Sequence, residues 1–105
     1  MKIEELENEK IDIFGYKIKL KVPSSDQDAG EYDPENKTIG VERDTEGEEI
    51  EITLVHEMFH ALCHRMSLID AGICGAVEEM LANLIGKMVG ENFELKFRKK
   101  PENID

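Results

Sequence analysis

The sequence predicts an α+β fold in which a small antiparallel sheet packs on two helices. Two observations predict it: segments with apolar residues at every second position occupy the first 41 residues, and two segments with helical spacing lie between residues 50 and 89. Strands followed by helices are typical of α+β domains. At 105 residues the chain can form one modest core, so we assign one domain to residues 1–98 and a polar tail to residues 99–105.

Alternation of apolar and polar residues predicts the first two strands. The longer strand has one apolar face, formed by Tyr16, Ile18, Leu20 and Val22. Ile11 and Ile13 alternate in the opposite phase, so the phase switches near Phe14 and Gly15. A turn at this point would join the two strands as a hairpin.

A second hairpin and a last strand complete the predicted sheet. Residues 24–30 have the composition of a loop. Glu31–Asp33 and Thr38–Val41 follow as short strands on either side of a turn at Pro34–Lys37. Near the end of the chain, apolar and charged residues alternate over residues 93–97, which predicts a final short strand.

Two helices are predicted between the second hairpin and the last strand. The first, Ile50–Met66, is apolar almost all round, which is typical of a central, buried helix. Residues 45–48 before it have the Thr-x-x-Glu form of a capping box, which predicts Thr45 as the N-cap. A loop over Ser67–Cys74 leads to the second helix, Gly75–Val89.

The first predicted helix contains an HExxH motif, with His56, Glu57 and His60 inside an apolar run. Burying two imidazoles and a carboxylate in apolar surroundings is costly unless something binds them. Residues four apart on a helix lie about 40° apart around the axis and roughly 6 Å apart along it, so both histidines can present a nitrogen to one metal. Two imidazoles and one carboxylate, with one position open for water, form a catalytic zinc arrangement.

The third metal ligand has two candidates, Glu78 and Glu79, which lie about 100° apart on the second helix. The broad apolar stripe of that helix is formed by Val77, Leu81, Leu84 and Met88. Glu78 lies at the edge of this stripe, so amphipathicity favours Glu78. Glu79 shares its face with small residues, namely Ala82, Asn83, Gly86 and Gly90. Small residues let two helices approach closely, as a shared metal requires, and this argument favours Glu79. The residue pattern alone leaves the choice open.

The two helical motifs together resemble those of a known enzyme family. The HExxH motif, followed by Glu-x-x-Ala-Asn beginning at Glu79, resembles the gluzincin metallopeptidases, most closely small ImmA/IrrE-like and phage-encoded members. The resemblance implies a minimal zincin-like fold over the domain. It also implies one Zn²⁺ bound by His56, His60 and Glu79, with Glu57 as the general base.

Such a site would hydrolyse a peptide bond of a protein or peptide substrate, and Glu57 would carry the proton from water to the leaving amine. A further donor is needed for the developing oxyanion, and His64 and Tyr32 are the candidates. We expect His64 to cap or pack near the helix end and Tyr32 to pack against the sheet. His64 is not expected as a ligand, because the three histidines span about 12 Å of helix. The second hairpin is expected to offer an edge strand to the substrate.

The composition limits the partners and the location. A net charge of −11, from 24 acidic and 13 basic residues, argues against nucleic-acid binding. No stretch approaches the roughly 20 apolar residues that span a bilayer, and the acidic first seven residues do not resemble a signal peptide. Cys63 and Cys74 do not suggest a secreted disulfide framework, so we expect a reduced, cytoplasmic setting.

The leading functional prediction is a cytoplasmic zinc-dependent peptidase. The alternative is a zinc-stabilised binding or regulatory protein, of phage origin, without appreciable turnover. The presence of Glu57 favours the peptidase prediction, because a purely structural zinc site does not need a general base. The small core keeps the alternative open, because metal binding stabilises small domains. The sequence predicts neither a cleavage site nor an oligomeric state.

Overall fold

The computed structural model describes residues 1–22, 30–67 and 72–98. It confirms the α+β class, with four strands followed by two helices. A 3-10 turn at Ile3–Leu6 precedes the elements β1 (Lys10–Ile13), β2 (Tyr16–Lys21), β3 (Gly30–Asp33), β4 (Thr38–Val41), α1 (Glu48–Met66) and α2 (Gly75–Asn92). The tail, the loop up to residue 29 and part of the predicted 67–74 loop lie outside the described residues. Within the described ranges, neither helix is long and apolar enough to cross a membrane.

The four strands form one sheet in the order β1-β2-β4-β3. The two predicted hairpins are present, because β1 pairs antiparallel with β2 and β3 pairs antiparallel with β4. The central pair is parallel, with Leu20 opposite Ile39, so the prediction of an antiparallel sheet was wrong for β2 and β4. The reason is burial: Ile39 and Val41 of β4 are almost fully buried, whereas every residue of β3 is half-buried. The more apolar strand of the hairpin therefore takes the interior position, and β3 takes the edge.

The core lies between the sheet and the inner side of α1. The predicted alternation of β2 is confirmed, because Ile18 and Leu20 are buried while Lys17 and Lys19 are exposed. The other buried apolar residues of this core are Leu6, Ile13, Val22, Ile39, Val41, Ile50, Leu54 and Ala61. The sheet is thus apolar on one face only, and α1 covers that face.

The segment after α2 is not a strand. Residues 93–98 have no sheet partner among the described residues, so the predicted final strand was wrong. The Leu95 backbone N–H donates instead to the Glu51 carboxylate at 3.0 Å, and Phe97 packs against the core. The N-terminal ammonium of Met1 donates to the same Glu51 oxygen at 3.3 Å. A buried side chain on α1 therefore satisfies a backbone N–H that a sheet was expected to satisfy.

The helix ends also differ from the predicted ends. The N-cap of α1 is Gly47, at φ +59°, and it makes no side-chain cap, so the predicted capping box at Thr45 was wrong. The Thr45 N–H is taken by a turn to the Glu42 carbonyl at 3.1 Å, and the chain turns once more before the helix begins. At the other end Ser67, at φ +52°, donates its N–H to the last carbonyls of α1. The second helix extends to Asn92, beyond the predicted Val89.

The second helix packs on α1 through its small residues. Ala82, Gly86 and Gly90 are its buried residues, and a Cβ added at Gly86 would lie 2.7 Å from the Ile52 carbonyl oxygen of α1. Several large apolar side chains of α2 are exposed instead. Val77 is 38% exposed, and Leu84 and Met88 are more than half exposed. Close backbone contact at glycine, rather than burial of the apolar stripe, sets the orientation of α2.

Candidate metal centre

Two histidine rings converge beside α2 on consecutive turns of α1. The Nε2 atoms of His56 and His60 lie 3.1 Å apart, and the rings meet edge to face with centroids 4.8 Å apart. Both side chains are 19% exposed. The four-residue spacing of the HExxH motif therefore places both nitrogens at one point on the helix surface, as predicted.

Glu79 closes a triangle with these two nitrogens. One carboxylate oxygen lies 3.2 Å from Nε2 of His56, and the other lies 3.0 Å from Nε2 of His60. Tetrahedral zinc with bonds of about 2.0–2.1 Å separates neighbouring ligand atoms by about 3.3 Å. One donor atom from each of the three groups lies within 4.8 Å of the other two, so the three groups could hold a metal ion. The Glu79 side chain is 55% exposed, so the group is open to solvent on the Glu79 side.

Glu78 contacts the other nitrogen of the same ring. Its carboxylate lies 2.6 Å from Nδ1 of His60. A carboxylate accepts hydrogen bonds, so Glu78 can take the Nδ1 hydrogen of His60 and leave the Nε2 lone pair available to a metal ion. A carboxylate on the far nitrogen of a metal-binding histidine orients the ring and raises its basicity. The two adjacent glutamates therefore serve opposite sides of one imidazole.

This role of Glu78 was missed by reasoning from the sequence, which treated the two glutamates as competitors. A signal was present: adjacent helical residues about 100° apart can reach two different edges of one ring. The close packing at Gly86 makes both contacts possible. Gly86 lies two turns after Glu79, and a Cβ placed there would be 3.3 Å from the His56 backbone nitrogen.

Glu57 lies on the sheet side of the same site. Its carboxylate is 3.9 Å from Nε2 of His56, and it accepts a hydrogen bond from the Tyr32 backbone N–H on β3. Burial raises the pKa of Glu57, and the neighbouring histidines oppose that rise. A carboxyl with a raised pKa beside the metal position is suited to accepting and releasing a proton.

A small cleft opens between the edge strand and the metal position. Its volume is about 310 Å³, and it is lined by Tyr32, Pro34, Glu57, His60, His64 and Glu78. Tyr32 packs against the core, as predicted, but its hydroxyl also reaches Nδ1 of His64 at 2.9 Å. His64 packs near the helix end, as predicted: its side chain lies between the Tyr16 and Tyr32 rings, and its Nδ1 pairs with the Tyr32 hydroxyl.

Comparisons with known proteins do not assign the chain to a family. No protein-family profile, curated protein or solved structure matches it. The resemblance to gluzincins therefore stays a prediction from the two motifs. What the structure adds is geometric: residues 56, 60 and 79 come together, with Glu57 on one side and Glu78 on the other.

Proposed function

We propose that this protein is a zinc-dependent peptidase. The observation that carries the proposal is the convergence of His56, His60 and Glu79 on one point, with Glu57 beside it. Two imidazoles and one carboxylate are typical zinc ligands, and three protein ligands leave a position for water or substrate. Sites that serve only structure usually have four protein ligands, so this donor set favours catalysis.

The residues around the metal position can divide the chemical work. Zinc held by His56, His60 and Glu79 would supply a water with a pKa near 7 and would polarise the scissile carbonyl. Glu57 would accept the proton of the attacking water and deliver it to the leaving amine. Glu78 holds His60 with its Nε2 lone pair toward the metal position. The roles proposed for Glu57 and Glu78 both use carboxylates that lie beside the two histidines.

The edge strand supports a peptide as the substrate class. Among the described residues β3 has no strand on its outer side, and its Tyr32 lines the cleft together with Glu57. An unpaired edge can hold an extended peptide as an added strand. This mode presents a backbone carbonyl to the metal without requiring a deep pocket, which suits a cleft of about 310 Å³.

The small cleft also supports a second candidate, a zinc-stabilised binding or regulatory protein. A volume of about 310 Å³ is at the lower end for a small-molecule pocket. A site of this size can stabilise the domain by holding metal without turning over substrate. Uptake of one zinc without any hydrolysis would favour this candidate.

The two candidates are separated by an assay on a peptide library. The zinc-loaded chain, the metal-free chain and zinc-loaded Glu57→Gln are incubated with peptides from a digested proteome, and new termini are identified by mass spectrometry. The peptidase proposal expects new termini only with the zinc-loaded wild type. Equal cleavage by Glu57→Gln would contradict the proposed mechanism.

A further inference from the structure

The third histidine of α1 is placed to act through a tyrosine rather than through the metal. His64 lies one turn beyond His60, outside the triangle of metal-binding atoms. Its Nδ1 lies 2.9 Å from the Tyr32 hydroxyl, and the two ring centroids are 5.9 Å apart. The edge of the Tyr16 ring meets the other side of His64, with centroids 6.0 Å apart. The imidazole is therefore held between two tyrosines from different strands.

Tyr32 is tied to the proposed catalytic base as well as to His64. Its backbone N–H binds the Glu57 carboxylate, and its side chain lines the same cleft as Glu57 and His60. Movement of β3 relative to α1 would break both contacts at once. The Tyr32 side chain thus lines the same cleft as two carboxylates, two imidazoles and Pro34.

We propose that Tyr32 is a catalytic residue that donates its phenolic O–H to the oxyanion developing on the scissile carbonyl, and that His64 is a positioning residue for Tyr32. The proposal rests on the proposed peptidase function. Attack of water on the carbonyl carbon turns the C=O oxygen into an anion, and a pre-placed donor stabilises that charge. No bond to Tyr32 forms or breaks in this step, and the proton stays on the phenol.

The surroundings keep Tyr32 in the donating form. Burial and the neighbouring Tyr16 raise the pKa of Tyr32 to about 12, so the phenol is protonated at neutral pH. When Nδ1 of His64 carries the ring hydrogen, it donates to the Tyr32 oxygen and leaves the phenolic hydrogen free for the substrate. Tyr16 contacts both Tyr32 and the His64 ring but does not itself line the cleft.

The test uses two probes that share one ring. Phenylphosphonate carries tetrahedral anionic oxygens, and thiophenol binds metal without them. Their affinities for the zinc-loaded full-length chain are measured by calorimetry, for wild type and variants, together with thermal midpoints. Tyr32→Phe is expected to lower the affinity for phenylphosphonate about tenfold, which is the loss expected for one hydrogen bond to a charged group. Its thiophenol affinity should stay within about twofold of wild type.

The variants of His64 test the positioning role. His64→Ala should lose phenylphosphonate affinity as Tyr32→Phe does, whereas His64→Asn, which keeps a polar group near the Nδ1 position, should recover most of it. Tyr16→Phe should lower the affinity less than Tyr32→Phe does, because Tyr16 lies outside the cleft and contacts only Tyr32 and His64 within the proposed donor pair.

Two results would overturn the inference while leaving the peptidase proposal standing. One is wild-type phenylphosphonate affinity in Tyr32→Phe. The other is an equal loss for both probes with a lowered thermal midpoint, which would make Tyr32 purely structural. If the zinc-loaded wild type bound neither probe, the proposed open metal position would itself be wrong.

Discussion

The Glu78 carboxylate lies 2.6 Å from Nδ1 of His60, on the side of the ring opposite the metal position. The next residue, Glu79, lies 3.0 Å from Nε2 of the same ring. One turn of α2 thus contacts both ring nitrogens of His60. The two adjacent glutamates therefore have different proposed roles, and zinc affinity should respond differently when each is replaced.

Replacing each glutamate by alanine should separate the two roles. Loss of an orienting partner typically lowers metal affinity about 10–100-fold, so Glu78→Ala should fall in that range. Glu79→Ala removes a ligand and should cost more than about 100-fold. Zinc affinity is measured by competition with a chelator of known affinity. The reverse order, with Glu78→Ala the more damaging, would exchange the two assignments.

Glu57→Gln should separate chemistry from metal binding. The amide keeps the size of the side chain but cannot accept the proton, and general-base catalysis typically contributes about 10²–10⁴-fold to a rate. We expect zinc affinity within a few-fold of wild type and a loss of hydrolysis in that range, measured on any peptide that the wild type cleaves. A variant that lost its zinc together with its activity would place Glu57 among the ligands instead.

Gly86→Ala should force the two helices apart. The added methyl would lie 2.7 Å from the Ile52 carbonyl oxygen, and overpacking of this kind typically costs about 1–3 kcal/mol. The thermal midpoint and the zinc affinity should both fall, because Glu78 and Glu79 move away with α2. Gly75→Ala is the control on the same helix, since nothing lies within 4 Å of its added Cβ. If Gly75→Ala lowered the thermal midpoint and the zinc affinity as much as Gly86→Ala, the spacing of the two helices would not control the site.

Zinc should stabilise the fold through the histidines. A ligand that binds only the folded state stabilises it by about 2.7 kcal/mol at a concentration one hundred times its dissociation constant. Adding zinc to metal-free protein should therefore raise the thermal midpoint of wild type. His56→Ala should show little of this rise, while Cys74→Ser, at an exposed cysteine away from the triangle, should show all of it. An equal rise in His56→Ala would place the stabilising metal elsewhere.

The local parts of the site were predictable, because helical spacing alone places His56 and His60 on one face. The small residues around Gly86 correctly indicated a close approach of the helices. Which glutamate contacts which nitrogen was not predictable, since that depends on the rotation of α2 about its own axis. The apolar stripe through Leu84 indicated the wrong rotation, because three of its four side chains, those of Val77, Leu84 and Met88, remain exposed.

The long-range features of the fold were harder to predict. Local patterns defined both hairpins, but the parallel pairing of β2 with β4 depends on how the second hairpin docks. Alternation at residues 93–97 indicated a strand, yet the buried Glu51 carboxylate takes the Leu95 N–H. A competing side-chain partner of this kind has no local signature in the sequence.

The central claim is that one zinc binds to three protein ligands and leaves one position open. A crystal structure of the zinc-loaded chain, with anomalous data at the zinc absorption edge, tests it most directly. We expect one peak within about 2.0–2.2 Å of Nε2 of His56, Nε2 of His60 and a Glu79 oxygen, with water as the fourth ligand. Coordination by Glu78 in place of Glu79, a fourth protein ligand, or no peak between α1 and α2 would contradict the account.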